Sequence, residues 1–266
     1  MSNSEEMILT ENDGAVRTIT LNRPEVLNAF NKPLSRAMTK ALQEAGEDNS
    51  VRCLVITGAG RAFCSGQDLV EVADRLEGDD PIEFGSRIRN YYNPIVAKIR
   101  AMEKPVIAAV NGVAAGAGCS LAIGCDLRIA ADTASFIQAF VNVGLVPDVG
   151  STYMLPRLIG VSRAMEMAFT GGKVSAEEAL RIGLVNQVVP GDRLQATVNE
   201  FARKLASLPT RTIGLTKRAI DAAWNAELES QLDLEATFQA EAAKTRDYRE
   251  GVAAFVEKRK PQFRGE

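Results

Sequence analysis

Apolar positions in the first half of the chain fall into short runs separated by longer stretches of helical spacing. Residues 15–21 (AVRTITL) are β-branched and read as a strand. Across 32–46, Leu34, Ala37, Met38, Ala41 and Leu42 recur at the spacing of one helix face. Residues 53–57 (CLVIT) form an unbroken apolar run that stops at Gly58 and Gly60. Residues 91–102 then read as a helix, 105–110 (PVIAAV) as a second buried strand, 120–124 as part of a short apolar helix, and 127–130 as another strand. Strands apolar on both faces and joined by helical crossovers predict a largely parallel sheet covered on both sides, an α/β fold.

From about residue 162 the pattern turns mainly helical. Segments 164–169, 175–181, 192–208 and 212–255 carry helical periodicity, with one strand-like piece at 185–189. Ser175 and Glu178 stand three apart, the spacing of a capping box, and so mark a helix start. There is no repeat of fixed period and no low-complexity segment. The expected division is a core over 1–195 and a helical region over 196–266 that packs on the core or on a neighbouring subunit.

Composition narrows the chemistry more than the fold. The 266 residues are 24% charged with a net charge of -3, which gives no electrostatic footprint for nucleic acid. Histidine is absent, so Ser-His-Asp triads, His-ligated zinc and a histidine base are all excluded. Cys53, Cys64, Cys119 and Cys125 show no CxxC pair and read as reduced apolar residues, with no metal site. The acidic start MSNSEEMILTENDG has no secretory pattern, and no run is apolar enough to span a bilayer. A cytoplasmic protein without membrane or nucleic-acid partners is expected.

Two glycine-rich segments each follow a buried strand: GAGRAFCSGQDL at 58–69 and NGVAAGAGCSLA at 111–122. Neither has the glycine spacing of a nucleotide fingerprint, and no G-K-[ST] follows. Tight packing turns are one reading. The other is a pair of backbone amides converging from two loops, which is what an oxyanion hole requires.

Taken together with NRPEVLNAF at 22–30, EKPVIAAVNGVAAGAGCSLAIGCDLRIA at 103–130, GLVPDVGSTYMLPRLIG at 144–160 and AFVEKRKPQF at 254–263, these segments resemble the crotonase, or enoyl-CoA hydratase/isomerase, family. The resemblance runs in order along essentially the whole chain. It implies a spiral of ββα repeats, a helical C-terminal region that makes a homotrimer or a dimer of trimers, and acyl-CoA thioesters as substrates. No separate cofactor is implied, since coenzyme A is part of the substrate. By the same resemblance the backbone N–H groups of Gln67 and Ala117 hold the thioester oxygen, each such donor being worth about 3 kcal/mol of barrier. Val26, Gln67, Asp68, Leu69 and Val70 would lie along coenzyme A, while Phe255 and Lys258 would close over it, commonly from the adjacent subunit.

Departures from the family pattern bear on the reaction. Where hydratases carry two glutamates, this chain has Ser120 and Phe140, so efficient water addition is not expected. What remains is Asp148, in GLVPDVG. It reads either as the cap of a helix beginning near Gly150 or as a carboxylate whose apolar flanks raise its pKa for proton transfer. Of the family's branches with an acid here, the halobenzoyl-CoA dehalogenases need a histidine and are excluded. The branch that isomerises the ring epoxide of phenylacetyl-CoA fits best, sharing the absence of both glutamates, the GAG motif, and segments like YYNP at 91–94 and DYREGVAAF at 247–255. Phe140 would give its aromatic acyl group a flat neighbour. A shift of a 3-enoyl to a 2-enoyl double bond is a further expectation. Two rivals stand beside these: a hydratase recruiting Glu103, Asp126 or Asp132, and a non-catalytic CoA- or RNA-binding homologue.

Overall fold

The computed structural model describes residues 6–76 and 84–266. Its strands, in chain order, are β1 (Ile8–Asp13), β2 (Val16–Leu21), β3 (Cys53–Gly58), β4 (Ala62–Cys64), β5 (Val106–Val110), β6 (Val113–Ala115), β7 (Leu127–Ala131), β8 (Ser135–Ile137), β9 (Lys173–Ser175) and β10 (Gln187–Val189). They form two sheets, ordered β1-β2-β3-β5-β7-β10 and β4-β6-β8-β9.

The two sheets grow together. Each turn of chain lays one strand in the larger sheet and the next in the smaller: β3 then β4, β5 then β6, β7 then β8. Successive turns stack in parallel register, with Ile56 opposite Ala108 and Ala108 opposite Arg128 in one sheet, and Val113 between Ala62 and Ser135 in the other. Helices Leu69–Leu76, Ala117–Gly124 and Ser151–Ile159 follow the successive pairs. This is the expected spiral of ββα turns. Every residue of β3 and β5 is buried, in keeping with their unbroken apolar runs.

Helix Leu194–Ala206 packs Val198, Ala202 and Ala206 onto the larger sheet as part of the main core. The division expected after residue 195 therefore falls inside a core helix, and the helical appendage starts beyond it. That appendage is three helices, Thr210–Ala223, Leu228–Ala242 and Arg246–Val256, where the periodicity over 212–255 showed no break. Thr245 starts the last one by accepting a 3.0 Å hydrogen bond from Tyr248 N–H. Ser175 likewise accepts from Glu178 N–H at 3.2 Å, but the Glu178 carboxylate turns to Arg181, leaving the capping box half made.

A half-buried ion network fastens the appendage to the body. Lys217 donates to Asp126 at 2.9 Å and to the Ile99 carbonyl at 2.6 Å, while Arg100 reaches both Asp126, at 2.8 Å, and Asp221. Among the described residues, no helix is long and apolar enough to cross a membrane.

Candidate active site

The two glycine-rich segments are pressed together, backbone against backbone. Gly66 sits at φ +99°, and a Cβ there would lie 2.8 Å from the Ala115 carbonyl oxygen and 3.4 Å from Ala117 N. At Gly118 a Cβ would lie 2.1 Å from the Cys64 carbonyl oxygen. Only glycine allows this approach, because any side chain would occupy the space of a main-chain atom of the facing segment.

The contact leaves two amides together and unused. Phe30 N–H donates to the Gly66 carbonyl at 2.7 Å and Asp68 N–H donates to the Phe30 carbonyl at 2.9 Å, which fixes Gln67 between two anchored neighbours. Ala117 is the first residue of helix Ala117–Gly124, whose opening N–H groups have no intrahelical acceptor. Among the described residues, neither the Gln67 nor the Ala117 N–H meets a backbone acceptor. A helix N-terminus adds a favourable field for negative charge there.

Gln67 and Ala117 both line a cavity of about 90 Å³, together with Tyr92, Phe140, Leu145 and Asp148. That volume holds several waters or a small acyl group. Asp148 is the one carboxylate among the described lining residues. Its backbone carbonyl accepts from Ser151 N–H at 3.0 Å, yet the helix that follows is capped at Gly150 without help from any side chain. Asp148 Oδ1 is buried and has no hydrogen-bond partner among the described residues. The side chain thus faces the cavity and caps nothing. Burial pushes its pKa up from 3.8 to about 6, opposed by its own backbone N–H.

The backbone after Asp148 is strained. Val149 has φ 54° and is buried, a left-handed conformation that a β-branched residue rarely adopts. Such a residue costs about 1–3 kcal/mol and persists only where its surroundings hold it. Here the held conformation carries the carboxylate into the cavity.

Other predicted residues sort clearly. Phe140 is buried and lines the cavity, whereas Ser120 spends its hydroxyl on the Gly116 carbonyl at 3.2 Å. Glu103 pairs with Arg211, Asp126 with Lys217 and Arg100, and Asp132 accepts from Gly191 N–H, so none of the three acids considered for hydration faces the cavity. Val26 closes a 3₁₀ turn beside the first glycine-rich segment, and the hydrogen bond from Ser65 N–H to the Leu27 carbonyl, 2.9 Å, joins the two. Asp68 is engaged by Arg23 at 3.0 Å and by Val70 N–H at 3.2 Å. Leu69 and Val70 are exposed at the start of the next helix. Phe255 and Lys258, at the far end of the C-terminal helix, are exposed and are not brought to this cavity within the chain.

The residue that sequence reasoning missed as a site residue is Tyr92. A π-helical turn, Ile88–Tyr92, leads into the helix predicted over 91–102, which runs Asn93–Ala101, and ends on the ring that lines the cavity. The YYNP segment was visible in the sequence, but the turn that aims it does not show in helical periodicity.

The chain matches the Enoyl-CoA hydratase/isomerase family over residues 11–266. It is 47% identical to 1,2-epoxyphenylacetyl-CoA isomerase of Escherichia coli strain K12, over 98% of this chain and 99% of that one. It is also 37% identical to the short-chain-enoyl-CoA hydratase of Clostridium acetobutylicum, over 95% of each. Among solved structures, enoyl-CoA hydratase from Bacillus anthracis superposes with a TM-score of 0.91 at 35% identity, over 98% of this chain and all of that one. The chain therefore belongs to the enoyl-CoA hydratase/isomerase, or crotonase, family.

Proposed function

We propose that this protein is an acyl-CoA isomerase that converts ring-1,2-epoxyphenylacetyl-CoA to its oxepin and also moves a double bond from the 3,4 to the 2,3 position of an enoyl-CoA. The observation that carries the reading is Asp148, with Oδ1 unpartnered and the one carboxylate among the described residues of a cavity that also holds two backbone donors without a backbone acceptor there. The Gln67 and Ala117 amides hold the thioester oxygen and stabilise the enolate that forms when a proton leaves C2. Asp148 takes that proton and returns it at C4. In the ring-epoxide reaction no proton is lost overall, and the carboxylate supports charge as the bond between the epoxide carbons opens and the ring expands.

Phe140 offers a flat apolar wall to an aromatic acyl group. Val26, Gln67, Asp68, Leu69 and Val70 form the shelf for coenzyme A, and Phe255 and Lys258 close over it from a neighbouring copy. Exposed Leu228, Leu232, Phe255 and Val256 on the last helices give those copies an apolar face, in a trimer or a dimer of trimers. Coenzyme A enters as part of the substrate, and the reaction uses no further cofactor.

Hydration needs both an acid and a base at the double bond, and Asp148 is the one carboxylate that lines the cavity among the described residues. Asp148→Asn keeps the shape and removes the base. Isomerisation in that variant should fall by a factor of about 10² to 10⁴, the usual contribution of a positioned proton-transfer group. Wild-type rates in Asp148→Asn would overturn the assignment, and rapid hydration of crotonyl-CoA by the wild type would favour a hydratase.

A further inference from the structure

We propose that Tyr92 determines substrate specificity, its hydroxyl donating a hydrogen bond to an oxygen atom carried on the acyl group, so that the pocket selects oxygenated acyl groups over hydrocarbon ones. The inference deepens the isomerase reading, in which that oxygen is the ring-epoxide oxygen.

Tyr92 is 3% exposed, and its hydroxyl proton meets no acceptor among the described residues. It lines the same cavity as Asp148 and the two amides. A buried tyrosine hydroxyl normally finds a partner, because an orphan forfeits its hydration without compensation. The ring itself is well placed: it meets Phe30 edge-on, with centroids 5.8 Å apart and planes at 84°. A π-helical turn of five residues ends on it, a local distortion often found at functional sites.

The hydroxyl can act here only as a donor. Burial raises its pKa to about 12, the Arg87 guanidinium opposing the rise and the Asp148 carboxylate adding to it, so the proton stays on at neutral pH. Arg87, which donates to Glu71 at 3.0 Å, carries only N–H donors and can offer the hydroxyl no acceptor. Among the cavity's side chains Phe140, Val143 and Leu145 have no acceptor to give, and the Asp148 carboxylate is the base of the isomerase reading. The thioester oxygen is claimed by the amides of Gln67 and Ala117. An acceptor must therefore come from elsewhere on the substrate. A hydrocarbon acyl chain would leave the hydroxyl orphaned, and a site built to bond an oxygen discriminates against the analogue that lacks it.

Equilibrium binding by calorimetry tests this without turnover, using 2-hydroxyphenylacetyl-CoA, 2-methylphenylacetyl-CoA and phenylacetyl-CoA. The coenzyme A part is common to all three and cancels. The wild type should bind the hydroxylated thioester about tenfold more tightly than the methylated one, the measure of one net hydrogen bond. In Tyr92→Phe that preference should vanish while affinity for phenylacetyl-CoA is unchanged. A wild type without preference, a preference that survives in Tyr92→Phe, or an equal loss for all three thioesters would overturn the proposal. The wild-type comparison decides even where the variant does not fold. Turnover of the ring epoxide separately tests the isomerase reading.

Discussion

Two regions of this molecule bury polar groups, and they treat them in opposite ways. Where helix Thr210–Ala223 meets the body, Lys217, Asp126, Arg100 and Asp221 are paired with one another or with a main-chain carbonyl. Around the cavity, Asp148 Oδ1, Tyr92 Oη and Gln67 Nε2 are buried without partners, and two backbone N–H groups are left open beside them. The first region spends its polar atoms on holding the fold. In the second the fold withholds partners, at a cost in stability, so that a substrate can supply them.

The comparison predicts that damage to the two regions separates stability from chemistry. Lys217→Met should have the largest effect on the fold. Removing one member of a buried pair leaves the other charge uncompensated, which costs about 3–5 kcal/mol. Arg100 remains to Asp126, so the lower end is expected, read as a drop in the denaturant midpoint. Below the unfolding transition, isomerisation per folded molecule should be within a factor of two of wild type. A large loss of kcat in still-folded protein would mean that the ion network reaches the site.

Gly66→Ala comes next, and its cost should fall mainly on catalysis. The new methyl would press on the Ala115 carbonyl and force Gln67 away from Ala117. Losing one aligned donor slows such reactions about a hundred- to a thousandfold. Steady-state kinetics would show this in kcat more than in KM. Unchanged kcat would mean that the two amides do not work as a pair.

The same contrast explains what the sequence displayed. β3 and β5 were legible because strands buried on both faces leave unbroken apolar runs. The glycine-rich segments were legible because main-chain contact leaves no alternative to glycine. β1 escaped notice: it is an edge strand with one buried residue, Ile8, and so shows no alternation. The smaller sheet escaped because its strands are three residues long, too short for any period. Asp148 was visible as a choice between cap and cavity, and only the conformation of Val149 and the cap at Gly150 decide it. The pairing of Asp126 with Lys217 crosses 91 residues and has no local signature.

Asp148→Asn changes stability in the opposite direction to Lys217→Met and with the clearest sign. The folded protein holds this proton more tightly than the unfolded chain, with a pKa raised to about 6 from 3.8. Between those values the folded state binds more protons, so the wild type loses stability as pH rises and levels off above about 6. Asparagine does not titrate. The variant's advantage over the wild type should therefore be near zero below pH 4, grow through the intervening range, and reach about 3 kcal/mol at neutral pH. Paired thermal unfolding curves across that range, in which all other titrating groups cancel, measure the difference directly. A stabilised but inactive Asp148→Asn, set against a destabilised but active Lys217→Met, is the pattern expected if one region keeps its polar groups for the substrate and the other for the fold. An advantage that is constant with pH would show instead that the gain comes from the backbone around Val149, and that the carboxylate is not held against its own charge.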